Sequence, residues 1–108
     1  MLSYTQLAQI RPASTSAISI YQCNAGEQVQ AFVKICNVSS SQISARVFHD
    51  LNGSTYDETT ALVWDLAIAP GGLLELDHIF INNASGHLAC RTDVANAMVA
   101  TVYGAVKT

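Results

Sequence analysis

The sequence predicts an all-β chain, a single antiparallel β-sandwich or jelly roll of about seven to eight strands with an N-terminal arm. Three observations predict it. Two long runs, Gln28 to Cys36 and Gln42 to His49, alternate apolar and other residues with period two, the mark of half-buried strands. Clusters of Asn, Gly, Ser and Pro interrupt the chain at short intervals, and no stretch carries a helical pattern. Half of the residues are hydrophobic and only 12% are charged, a composition that builds a core rather than a disordered tail.

The elements follow in order. Residues 1–16 are an N-terminal arm or a first strand, with Arg11-Pro12-Ala13-Ser14-Thr15-Ser16 as a polar loop, and residues 17–108 form the sandwich. Ala17 to Gln22 is β-branched and aromatic, as strands prefer, and Asn24-Ala25-Gly26 is a turn. In the two alternating runs Val29, Ala31, Val33 and Ile35, then Ile43, Ala45 and Val47, form the apolar faces. A long loop runs from Asp50 to Glu58. Thr60 to Leu66 is a strand anchored by Trp64, which the alternation places with Leu62 and Leu66 on a core face. Pro70-Gly71-Gly72 turns the chain into a strand from Leu73 to Ile81, and Asn82 to Gly86 turns it again. Leu88 to Arg91 is short, and Ala97 to Tyr103 closes the domain with Met98, Ala100 and Val102 alternating against Val99, Thr101 and Tyr103.

The two central runs read as a hairpin. Opposed residues of an antiparallel pair share a face, so Ile35 opposite Ile43, Val33 opposite Ala45 and Ala31 opposite Val47 keeps the apolar residues together. That register needs the five-residue loop Asn37 to Ser41 and sets Phe32 across from Arg46 and Gln30 across from Phe48. Phe32 and Phe48 then stand on an otherwise polar face, which reads as a surface that meets another subunit, because aromatics and arginine are enriched at interfaces; the other readings are a lone cation–π contact with Lys34 or Arg46 covering the rings, or a binding site.

The charge balance argues against several functions. Net charge is −3 with five lysines and arginines and no basic run, so nucleic acid, which is bound mainly by neutralising phosphates, is not an expected partner. No apolar stretch has the length of a membrane-crossing helix, and the N-terminus lacks the basic and apolar regions of a signal peptide. Cys23, Cys36 and Cys90 are odd in number and form no C-x-x-C, so buried, reduced thiols and the cytosol of whichever cell makes the chain are expected.

Motifs for chemistry are sparse. His49-Asp50 and Asp77-His78 are the adjacent acid–imidazole pairs, but neighbours in a regular strand point to opposite faces, and no nucleophile elbow accompanies them. Asp50, Asn52, Asp57 and Glu58 could offer oxygen ligands to calcium, without the spacing of an EF-hand. Asn37-Val38-Ser39, Asn52-Gly53-Ser54 and Asn83-Ala84-Ser85 match the glycosylation acceptor pattern and read as turns. No catalytic, metal or cofactor residue is expected.

Four segments together carry a resemblance: Ile20 to Gln28, Val33-Lys34-Ile35-Cys36-Asn37, Ala61-Leu62-Val63-Trp64 with Ala69 to Leu76, and Val99 to Val106. Read in order, they resemble a group of small β-sandwich virion proteins of tailed bacteriophages, over nearly the whole span from Ala17 to Val106. Cys23-Asn24 stands where that group usually has a proline before Ala-Gly. The resemblance implies a non-enzymatic subunit used many times in a virion, often as a homotrimer. It implies a capsid decoration (cement) protein bridging capsomers, with the major capsid protein as partner, or a tail, fibre or baseplate component. A carbohydrate-binding module is the lesser alternative on the same fold. For the cement role, Tyr4, Leu7 and Ile10 of the arm would grip the shell while Phe32, Arg46 and Phe48 serve the face between subunits.

Overall fold

Eight strands follow the alternating segments in the computed structural model, which describes residues 1–108: β1 (Leu2–Ile10), β2 (Ile18–Gln22), β3 (Gln28–Asn37), β4 (Ile43–Asp50), β5 (Ala61–Ile68), β6 (Leu73–Ile81), β7 (His87–Thr92) and β8 (Met98–Lys107). A first sheet has the order β1-β8-β3-β6 and a second the order β2-β7-β4-β5. All pairings are antiparallel. Only β4 and β5 are consecutive strands paired in one sheet; every other connection crosses between the sheets. Eight strands wound this way make the two-sheet jelly roll.

The two central runs therefore do not form the expected hairpin. β3 pairs with β6 and β8, and β4 pairs with β5 and β7, so the runs lie in opposite sheets. Their apolar faces were read correctly, and they meet across the core instead of side by side. Val29, Ala31, Val33 and Ile35 from one sheet and Ile43, Ala45 and Val47 from the other are all buried in one cluster with Met98, Ala100 and Val102. Alternation fixes which way side chains point; it does not say which strand lies alongside.

Asn37 makes the crossing possible. It is fully buried, and all four side-chain hydrogen-bonding positions are filled. Its Nδ2 donates to the Ser41 carbonyl at 2.8 Å and to the Ile68 carbonyl at 2.9 Å. Its Oδ1 accepts from the Ser39 amide at 2.9 Å and the Ser39 hydroxyl at 2.8 Å. Its amide donates to Gly72 and its carbonyl accepts from Gly71. The Asn37 side chain thus ties the β3–β4 connection to the end of β5, and its backbone ties the same point to the Ala69–Gly72 turn. That turn has Pro70 followed by Gly71 at φ 73° and closes with a Gly72 amide to Ala69 carbonyl bond, as a type II turn requires. An Asn whose amide is spent in this way is not a glycosylation acceptor.

The N-terminal segment is the first strand rather than an arm. β1 pairs with β8 from Leu2 opposite Lys107 to Ile10 opposite Ala100. Leu7 and Ile10 pack against the core, and the Leu7 side chain occupies the space above Gly104, where an added Cβ would meet it at 2.7 Å. Both are partly buried by these contacts and held in a paired strand, not on a free arm.

Irregularities concentrate at the rims. The ladders β1–β8, β2–β7, β3–β6 and β4–β5, each holding one edge strand, all carry a register shift. The two central ladders, β3–β8 and β4–β7, run without one. In β5 and β6 the bulges hold Asp65 at φ 52° and His78 at φ 57°, residue types that tolerate the left-handed region better than most. Bulges bend an edge away from flatness and discourage another strand from adding there.

The β5 bulge also overturns the expected burial of Trp64. Val63 pairs with Val47 and Leu66 with Ala45, both core residues, so the two positions between them share the outer side. Trp64 is 41% exposed, and Leu62 and Leu66 are exposed as well.

Candidate interaction surface

The outer face of the first sheet exposes Leu2, Tyr4, Leu73, Phe80 and Tyr103. Antiparallel register builds it in rows, because directly opposed residues share a face. One row holds Tyr4 on β1, Ala105 on β8, Gln30 on β3 and Phe80 on β6. The next holds Gln6, Tyr103 and Phe32, with the Asp77-His78 bulge completing it. Tyr4 is 80% and Phe80 64% exposed, and Leu2, Leu73 and Tyr103 are also exposed. Tyr4, Phe32 and Tyr103 line a shared hollow, and Leu2 and Phe80 flank a second, shallow depression of about 390 Å³.

Charge is thin on this face. Lys34 and Glu75 stand opposite each other at 3.9 Å, a loose surface pair of little energetic weight. The Lys34 ammonium is also 6.0 Å from the Tyr103 ring centroid. Asp77 and His78 touch at 3.0 Å because the bulge places both side chains on one side, which regular strand would forbid. No nucleophile is seen in hydrogen bond with that pair.

Of the six residues expected at an interface, Tyr4 and Phe32 come together here. Leu7 and Ile10 point into the core. Arg46 and Phe48 belong to the second sheet, on the opposite side of the sandwich from Phe32. Phe48 does face outward, opposite Ala89 and outside the central cluster, yet it is only 1% exposed. The chain covers it. The Tyr56 ring lies 5.9 Å away, and Trp64 meets it edge-on at 6.3 Å.

The cover is pinned by polar contacts. The Arg46 guanidinium lies 3.6 Å over the Trp64 ring and clamps Asp65 with two hydrogen bonds, of 2.6 and 3.0 Å. Arg91 approaches the same carboxylate at 3.5 Å. The Arg46 hydrogen bond holds the Asp65 carboxyl below its ordinary range and raises the guanidinium above its own. The covering loop, residues 51–60, is tied down by its acids. Asp50 accepts from the Asn52 amide at 3.1 Å and the Thr55 amide at 2.7 Å, which lowers its pKa. Asp57 accepts from the Thr59 hydroxyl and amide, with the same effect. These carboxylates serve the loop, and nowhere do three His, Cys, Asp or Glu side chains gather as a metal site.

The other titratable groups do structural service. His49 is half-buried, its Nε2 has no hydrogen-bond partner, and burial lowers its pKa. The cysteines are free thiols; burial raises Cys23 and pushes Cys90 up to about 12, so Cys90 is inert as a nucleophile.

Sequence reasoning missed Leu2, Phe80 and Tyr103 as members of the surface. Their alternation was readable, but it took the pairing of β1, β8, β3 and β6 to put them beside Tyr4 and Phe32. No protein-family model matches this chain, and no curated protein matches it.

Proposed function

We propose that this chain is a structural subunit of a bacteriophage virion, and that it acts as a decoration protein of the capsid shell. The observation that supports the reading most is the bare aromatic face of the first sheet, in a chain that buries the outward-facing Phe48 of its second sheet beneath Tyr56 and Trp64. An aromatic surface with few charges is the composition of a protein interface core. The jelly roll is a fold that viral shells use, although a fold alone does not decide function. In this reading the major capsid protein and further copies of the chain are the partners. Many modest contacts, repeated by symmetry, oppose expansion of the shell. β1 is bound within the sandwich, so the grip comes from sheet surface and not from a free arm.

Counting copies in particles made with and without this chain tests the proposal. Hundreds of regularly spaced copies, with shells that rupture at lower temperature when it is missing, support it. A single ring of copies assigns the chain to the tail or baseplate, and absence from particles rejects both.

One observation favours a different class. Exposed tryptophan on a jelly roll is how sugar-binding modules stack on pyranose rings, and Trp64 is exposed beside Leu62. One side of its ring is taken by Arg46. Quenching of Trp64 fluorescence that saturates with an oligosaccharide would move the function to carbohydrate recognition.

A further inference from the structure

The bare face of the first sheet is self-complementary. We propose that it is closed by a second copy of this chain, related to the first by a two-fold axis that runs along the strands between β8 and β3. The pairing deepens the reading of the chain as a structural subunit by naming one partner of that surface.

The register carries the argument. Such an axis exchanges β8 with β3 and β1 with β6 and keeps each row at its own height. Tyr4 of one copy then lies over Phe80 of the other, and Tyr103 over Phe32. Each contact occurs twice, as an isologous interface demands, so all four aromatic positions find an aromatic partner. The polar positions agree. Glu75 meets Gln9, whose amide lies beside Thr101 at 2.9 Å, while Lys34 meets Thr101, Lys107 meets Gln28 and Asp77 meets Gln6. No two like charges oppose each other. A two-fold axis laid across the strands, midway between these two rows, instead stacks each strand on itself and sets Tyr4 over Gln6, Tyr103 over Ala105 and Phe32 over Gln30, so no aromatic of these rows meets another.

Size and edges support the same partner. A four-stranded face of this length spans roughly 19 by 30 Å, so two copies bury on the order of 1,100 Å², above the scale of casual contacts. Every edge ladder is bulged, which discourages association by strand addition and leaves a face as the better route.

Sedimentation of the purified chain between about 1 and 100 μM tests the pairing without any particle, so it can fail while the virion assignment stands, and the reverse. The expected result is a dimer that Phe80→Asp or Tyr4→Asp weakens roughly 10-fold or more, as a charge placed in an aromatic contact on an outer strand warrants, while Leu62→Asp on the second sheet leaves it intact. Tyr4 and Phe80 are about 14 Å apart within one copy, across three strand spacings, so they cannot be bridged there. Facing sheets stand roughly 10 Å apart, too far for a direct disulfide, so in a Cys36→Ser background the double variant Tyr4→Cys with Phe80→Cys should be joined into a covalent dimer by a bis-thiol reagent spanning about 7 Å. A wild-type monomer throughout the range, a trimer, a dimer insensitive to both Asp variants or broken by Leu62→Asp, or a dimer without the cross-link would each overturn the proposal.

Discussion

The sandwich has two outer faces, and it treats their aromatic residues in opposite ways. On the second sheet Phe48 points away from the core and is then roofed by residues 51–60, by Tyr56 and by the Arg46–Trp64–Asp65 cluster. On the first sheet Tyr4, Phe80 and Tyr103 point away from the core and nothing in the chain covers them. Leaving large apolar side chains in water forgoes about 1.5–3 kcal/mol for each one that could be buried. The same chain spends a ten-residue loop to avoid that loss at Phe48, though Leu62, Trp64 and Leu66 stay exposed at the β5 edge, and accepts it at Tyr4 and Phe80. The difference is informative because composition cannot explain it: both faces belong to four-stranded sheets of one small domain. Contiguous apolar surface of this kind is what protein contacts commonly cover, which is the ground for the proposed interface.

The sharpest way to break this comparison is to truncate one ring on each face. Phe48→Ala empties a fully enclosed site under a pinned loop, and we expect a loss of about 3–5 kcal/mol in urea unfolding. Phe80→Ala, at a 64% exposed position, should change the stability of the monomer by less than about 0.5 kcal/mol. Equal losses at the two positions, measured below the association range, would mean that the faces do not differ as described.

The two faces were also unequally legible in the sequence. Period-two alternation assigned the inward sides of β3 and β4 and the outward direction of both Phe32 and Phe48. It could not tell that these strands belong to different sheets. Chain proximity favours a hairpin between neighbouring strands, and the crossing depends on tertiary bonds from Asn37 to residues as distant as Ile68 and Gly72. Trp64 was misplaced for a local reason. The bulge at Asp65 inserts one residue, so the alternation beyond it changes sides, and positive φ at an aspartate leaves no pattern in composition. Leu7 and Ile10 read as a free grip because the first strand is polar on much of its length and its partner, β8, lies at the other end of the chain.

The roof itself offers the next prediction. Arg46→Ala removes the cation–π contact and both hydrogen bonds to Asp65 while the carboxylate stays near Arg91. The site is partly exposed, so solvent screening limits the effect, and the loss of stability should be well below that of Phe48→Ala. The accompanying sign is optical. With its guanidinium cover gone, Trp64 should be quenched more strongly by acrylamide, whereas Lys34→Ala on the bare face should leave that quenching unchanged.

The smallest expected effect is a pH dependence of the roofed end. Burial lowers the pKa of His49, so the unfolded chain takes up a proton at a pH where the folded chain does not. Stability from this source is complete above about pH 6.5 and declines as pH falls from there toward the lowered folded value. The depressed carboxylates Asp50, Asp57 and Asp65 act in a lower window: their contribution is present above about pH 4 and is lost on further acidification. Thermal unfolding at pH 7.5, 5.5 and 3.5 separates the two. His49→Gln should flatten the first interval by a fraction of 1 kcal/mol and leave the second intact. A variant that follows the wild type through both would show that the unpartnered Nε2 already reaches water, and that the roof is looser at the His49 end than over Phe48.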